Sequence, residues 1–220
     1  MKQLPLLKVL SRKNPYLLKA KGLATPRNLV KAILDAHLSS QEETILGGFL
    51  EDLAIFICTK AYKAHGKSTT TGLDLEFDKD GKRCLVAIKS GPAWGNSSQI
   101  EKMRSDFKTA AKVYRQNRAA LPVMCVNGCC YGKQAKSVED KGDYVKLCGQ
   151  RFWAFISGDS QLYIKLIEPI GHNATERNAQ FLAQYELVVD EFTDLFRKNF
   201  CDKDNNILWE KLTKASSQAP

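Results

Sequence analysis

Apolar positions recur at helical spacing through residues 4–38, with interruptions near Pro15 and Pro26, where the ring removes a backbone donor. Ser39 or Ser40 then precedes Glu42 and Glu43 with capping-box spacing, which predicts a second helix running to about Lys63. From Ile45 to Cys58 this helix is apolar nearly all round, with Glu51 and Asp52 its only charges, as expected of a buried helix.

The period changes at residues 70–90, where GLDLEFDKDGKRCLVAIK carries two alternating runs on either side of Asp80-Gly81. Asp-Gly predicts a two-residue type I′ turn, whose central positions both require positive φ. Counting from that turn pairs Lys79 with Lys82, Phe77 with Cys84, Leu75 with Val86 and Leu73 with Ile88, an entirely apolar face. On the other face Asp74 lies across from Ala87 and Glu76 across from Leu85, and Lys89 is the diagonal neighbour of Asp74. A slip of one residue would bury the charges and expose the leucines, so the register is well determined.

Further along, the patterning predicts a third helix over 99–116, a strand over 122–127, and an ordered loop rich in turn formers at 128–151. A short helix over 150–157, a strand at LYIKLIEPI (162–170), a long helix over 174–199 and a short helix around Trp209 complete the chain. Helices around a small central mixed sheet make this an α/β (α+β) domain. The expected organisation is a single domain over 1–220: an N-terminal helical segment (1–38), a core (39–170) and C-terminal helices (171–220).

Size and composition suit that reading, since 220 residues at 44% hydrophobic content can bury a full core. No apolar run reaches the roughly 18 residues of a membrane span, and MKQLPLLKVLSRKNP lacks a secretory pattern. The seven cysteines, an odd number scattered through apolar segments, fit a reduced, cytoplasmic protein. A formal charge of +9 suits solubility and equally a polyanionic partner. In the third helix Arg104, Lys108, Lys112 and Arg115 form one basic stripe beside the apolar stripe of Met103, Phe107, Ala110 and Tyr114. Such a stripe is ordinarily a solvated face; after a hairpin carrying Asp74 and Lys89 it is also well placed to follow phosphates.

GLDLEF followed by VAIKSG resembles the active-site hairpin of the PD-(D/E)xK nuclease superfamily. The longer string IKSGPAWGNSSQ, with VNGCCYGK and KLCGQRFWAFISG downstream, resembles the PmeII-type group of type II restriction endonucleases, from about residue 40 onward. The resemblance implies a restriction-endonuclease-like core, Asp74 as a metal-binding aspartate, Lys89 as the motif lysine, and Mg²⁺ as cofactor. It further implies cleavage of double-stranded DNA leaving 5′-phosphates, with a DNA methyltransferase as a genetic rather than physical partner. Cutting both strands of a palindromic site favours a homodimer, because operator symmetry mirrors protein symmetry.

The departure is Ala87, where the pattern expects a carboxylate and where an alanine offers no oxygen to a hard cation. Three glutamates compete to replace it, ranked Glu76, Glu51, Glu101. Glu76 shares the face of Asp74. Glu51 sits mid-helix beside Gly47 and Gly48, with pairing to a basic side chain as its structural alternative. Glu101 begins the third helix. The carbonyl of Ile88 would complete the metal set. Asn96, Ser98 and Gln99 are candidates for the DNA backbone or a base edge near the cut. Arg104, Lys108 and Lys112 are candidates for phosphates, and Lys133, Gln134, Lys136, Lys146 and Arg151 for base edges. Cys125, Cys129, Cys130 and Cys148 lack paired ligand spacing, which favours buried thiols over zinc. Two other readings stay open: a structure-specific repair or recombination nuclease of the same fold, and a DNA-binding module whose site has decayed.

Overall fold

The structure, a computed structural model, describes residues 6–10, 13–63, 66–117, 121–134, 139–172 and 174–217. In chain order the elements are α1 (Leu6–Leu10), α2 (Pro15–Ala20), α3 (Pro26–Tyr62), β1 (Leu75–Lys79), β2 (Lys82–Lys89), α4 (Ser97–Asn117) and β3 (Val123–Cys129). They continue with β4 (Glu139–Asp140), β5 (Val145–Cys148), α5 (Gln150–Ser157), α6 (Leu162–Lys165), α7 (Ile167–Gly171), α8 (Ala174–Phe200) and α9 (Trp209–Ser217). The chain divides into two compact units, Met1–Glu43 with Asn173–Pro220, and Thr44–His172.

The first unit is helical. Val9, Leu10, Leu18, Leu29, Val30 and Ile33 pack with Val189, Phe192, Phe196, Phe200 and Leu212 into one core. The interruptions expected at Pro15 and Pro26 are helix starts: each proline is a first helical residue, where its missing N–H would have no partner. Asn14 caps α2 by accepting from the Tyr16 and Leu17 N–H groups at 3.0 and 3.2 Å. Arg27 pairs with both Glu186 and Asp190 on the surface of this core.

The second unit holds the sheet, with strand order β1-β2-β3-β5-β4 among the described residues. β1 and β2 are antiparallel, β2–β3 and β3–β5 parallel, and β4–β5 antiparallel, a mixed sheet. One face carries Leu75, Phe77, Cys84, Val86, Ile88 and Val126 against α3 (Leu50, Ala54, Ile55, Cys58) and α5 (Phe152, Trp153, Ile156). The other carries Leu85 and Ala87 against Met103, Phe107, Ala110 and Ala111 of α4. Helices on both faces of a small mixed sheet make the α+β architecture that the patterning predicts.

The hairpin register agrees with the count from Asp80-Gly81: Lys79 pairs with Lys82, Phe77 with Cys84 and Leu75 with Val86. Asp80 and Gly81 have φ of 48° and 70°, the positive values the turn requires. The alternation then breaks. The Asp74 N–H bonds the Val86 carbonyl at 2.9 Å, although Val86 is already the register partner of Leu75. This one-residue offset turns Leu73 onto the α4 face, beside Leu85 and Ala87, rather than opposite Ile88 as the count predicts. Local offsets of this kind re-aim side chains at strand ends.

Other expectations give way to tertiary context. No helix begins at Ser39 or Ser40: α3 runs unbroken through both, because serine lowers helix stability only slightly and neither Pro nor Gly lies between residues 27 and 46 to stop the chain. The stretch 45–58 is not buried all round; Ile45 is 71% exposed and Phe56 58%, while Leu50, Ala54 and Cys58 face the sheet. LYIKLIEPI forms α6 and α7 instead of a strand. Of its side chains, Leu162 and Leu166 meet the core, an i, i+4 pair on one side of a helix, while Ile164, which a strand would place on their face, is 54% exposed. The segment expected as a loop at 128–151 contains β4 and β5, and β5 lies beside β3 in the middle of the sheet.

Candidate active site

The parallel strands β2 and β3 end together at Lys89 and Cys129. There the Cys130 and Tyr131 N–H groups bond the Lys89 and Ser90 carbonyls at 2.9 and 3.1 Å, which holds the chain that leaves β2. Asp74, Glu51 and Lys89 meet at this end. Asp74 enters because its offset backbone frees the side chain to reach along β2, where Oδ2 accepts the Ile88 N–H at 2.6 Å. Glu51 enters from α3, whose Gly47 passes over Ser90: a Cβ added there would lie 3.6 Å from that of Ser90. Gly48 faces open space.

Electrostatics tie the three side chains together. Burial pushes the Asp74 carboxyl above its ordinary value; the Ile88 N–H opposes this, the nearby Glu51 charge adds to it, and Lys89 and Lys67 draw it back. Two carboxylates crowded at a half-covered strand end are an arrangement that a cation relieves. Glu51 already has one cationic partner: Lys67 donates to Oε1 at 2.7 Å, and this bond raises the Lys67 pKa above the usual lysine value. The Lys89 ammonium sits 5.1 Å from the centre of the Trp94 ring. Oxygen donors from Asp74 and Glu51 fit a hard divalent ion such as Mg²⁺. Among the described residues, no group of three or more His, Cys, Asp or Glu side chains forms a metal cage.

Glu76, ranked first among the replacement acids, lies elsewhere. It is held by Ser68 at 2.5 Å, Thr70 at 2.6 Å and Arg83 at 3.0 Å. Burial by itself would raise its pKa, but these three bonds hold it below the ordinary glutamate value. Arg83 also reaches Asp78 at 3.1 Å and stacks over Tyr114. Glu76 is a satisfied ion-pair partner, and Glu51 is the glutamate that lies with Asp74. Glu101 is exposed and lies 3.7 Å from Arg104 on the same helix. Ala87 is buried on the α4 face beside Met103 and Phe107.

The DNA-contact candidates sort similarly. Asn96 and Gln99 form a reciprocal cap on α4: the Gln99 N–H bonds Asn96 Oδ1 at 3.1 Å and the Asn96 N–H bonds Gln99 Oε1 at 2.9 Å. Both side chains therefore serve the helix start, while Ser98 is exposed. Arg104 turns out of the basic stripe towards Asp143 and over the Tyr144 ring. Lys108, Lys112 and Arg115 keep to one side and line an open depression with Gly142 and Asp143. Gln134 bridges the Lys146 carbonyl and the Cys148 N–H along β5, and Lys146 holds the Pro92 carbonyl, so both are structural. Lys133 and Arg151 line a second depression with Tyr131 and Gln150. Lys136 lies outside the described residues. The thiols of Cys58, Cys129 and Cys130 are pushed up to about 12, chiefly by burial.

Sequence reasoning missed Lys67, Trp94 and Asn127. For Asn127 one signal was available: an amide inside an otherwise apolar strand, VMCVNGC.

Residues 1–178 match the model of a protein family described as Type II restriction endonuclease EcoO109I. No curated protein matches. No helix among the described residues is long and apolar enough to cross a membrane.

Proposed function

The chain belongs to the EcoO109I family of type II restriction endonucleases, and from that premise we propose that Asp74, Glu51 and Lys89 form its cutting centre, in the manner of a PD-(D/E)xK nuclease. As a member of this family it is a site-specific deoxyribonuclease, a hydrolase of phosphodiester bonds in DNA. The observation that carries the site assignment is the meeting of two crowded carboxylates and one ammonium at the shared end of β2 and β3.

Asp74 and Glu51, with the Ile88 carbonyl, are the groups that would hold a divalent ion, Mg²⁺ by the chemistry of the donors. When bound, that ion polarises the scissile phosphate and acidifies water. The chain's own residues do the rest. The Ile88 N–H fixes the Asp74 carboxylate in one orientation. Lys89 orients the attacking water and offsets charge developing on the phosphate oxygens. Lys67, exposed and paired to Glu51, neutralises the acid pair before DNA arrives. In-line attack on phosphorus leaves a 5′-phosphate and a 3′-hydroxyl.

Lys108, Lys112 and Arg115 follow phosphates, and Lys133 and Arg151 reach base edges. The whole 220-residue chain acts as one nuclease domain with helical appendages, working in the cytoplasm on sites that a cognate methyltransferase protects. Two copies assemble, one for each strand; the exposed Ile45, Leu46, Phe49 and Phe56 of α3 are apolar surface of the kind that a second copy covers.

The test is digestion of phage and plasmid DNA with Mg²⁺, followed by sequencing of fragment ends. Discrete bands with 5′-phosphate ends are expected. Attack confined to branched DNA would replace this reading with repair, and binding without cutting under any divalent ion would leave a decayed module.

A further inference from the structure

Asn127 is 1% exposed in β3, the strand flanked on both sides by β2 and β5. Asparagine is a poor strand former, and an amide buried there is costly unless bonded at both ends. It is bonded at both ends. Nδ2 donates to the carbonyl of Ala87, its register partner on β2, at 3.4 Å. Oδ1 accepts from the indole Nε1–H of Trp94 at 3.1 Å. The Trp94 ring in turn lies 5.1 Å from the Lys89 ammonium.

The loop carrying Trp94 is held at further points. Tyr131 packs so closely on Gly91 that an added Cβ would fall 2.3 Å from its ring. Lys146 donates to the Pro92 carbonyl at 2.9 Å. A lysine has four rotatable side-chain bonds and no intrinsic reason to stay in one rotamer. An aromatic face anchored to the rigid middle of the sheet supplies that reason.

We infer that Asn127 and Trp94 are positioning residues for Lys89: the buried amide fixes the indole, and the indole fixes the ammonium where it meets the scissile phosphate. The inference rests on the assignment of Lys89 to the cutting centre, and the test separates the two. Single-turnover cleavage of a duplex carrying the mapped site is measured alongside DNA affinity in Ca²⁺ and thermal unfolding, for Lys89→Ala, Trp94→Leu, Trp94→Phe and Asn127→Leu.

Trp94→Leu and Asn127→Leu are expected to cut about 10- to 100-fold more slowly, the scale of a small misplacement, with DNA affinity unchanged. Trp94→Phe, which keeps an aromatic face, recovers several-fold of that loss. Trp94→Leu cutting at the native rate while Lys89→Ala is inactive would overturn the inference and leave the site assignment standing. So would equal losses of rate, affinity and stability with no recovery in Trp94→Phe, the signature of packing alone. Native cutting by Lys89→Ala would remove the site assignment itself.

Discussion

Two acidic clusters flank the same hairpin, and they are built on opposite logic. Around Glu76 every partner is in place: two hydroxyls and a guanidinium close on one carboxylate, and its pKa falls below the ordinary value. Around Asp74 the balance goes the other way. Burial and the neighbouring Glu51 raise its pKa against a single backbone bond and two lysines. The first cluster is closed by its own partners; the second, where burial leads and Glu51 adds to it, is the one proposed to take a cation. Sequence alternation places Asp74 and Glu76 on one face; the backbone offset at Asp74 and their different partners tell them apart.

The largest expected effect that would sharpen this contrast is on cutting. Asp74→Asn and Glu51→Gln should each slow cleavage on the order of 10³-fold, while Glu76→Gln cuts at close to the native rate per folded molecule. A dead Glu76→Gln with an active Glu51→Gln, in the same digestion assay, would reverse the two assignments.

Stability should show the mirror image. Glu76→Gln loses charge-assisted hydrogen bonds and should unfold about 1–3 kcal/mol more easily in urea. Asp74→Asn, without added divalent ion, should be as stable as the native chain or more so, since the amide carries no charge to desolvate. Saturating Mg²⁺ or Ca²⁺ should then raise the native unfolding free energy by about 2.7 kcal/mol at a hundredfold excess over Kd, and leave that of Asp74→Asn unmoved.

The pH dependence of the structural cluster has a definite sign. Because the folded-state pKa of Glu76 is lowered, its contribution is fully present above the unfolded-state glutamate value and is lost as pH falls through the folded value. The stability gap between the native chain and Glu76→Gln should therefore close on acidification below about pH 4, as measured by urea unfolding across pH.

The smallest effect concerns DNA. Lys108→Ala, Lys112→Ala and Arg115→Ala should each reduce the slope of log affinity against log salt by about 0.9. Arg104→Ala should change that slope less, because Arg104 is turned to Asp143 and Tyr144. Equal changes in all four would restore the unbroken stripe.

What was legible along the chain was local. Asp80-Gly81 and the alternation around it determined the hairpin pairing, since turn chemistry and period-two patterning act over a few residues. The helical period of α4 and α8 was readable for the same reason. The β-branched residues of 162–170 misled, because the same composition serves a helix that touches the core at two positions.

The sequence alone thus determined the hairpin, the helices α4 and α8 and the pairing of Asp74 with the region of Lys89. Tertiary structure decided the rest: the offset that turns Asp74 towards Ile88, the entry of Glu51 from α3, the withdrawal of Glu76 to Arg83, and the meeting of Asn127 with Trp94. Each of these joins residues from separate elements. Which partner a buried polar group finds depends on what the packed fold brings within hydrogen-bond reach, and no local pattern records it.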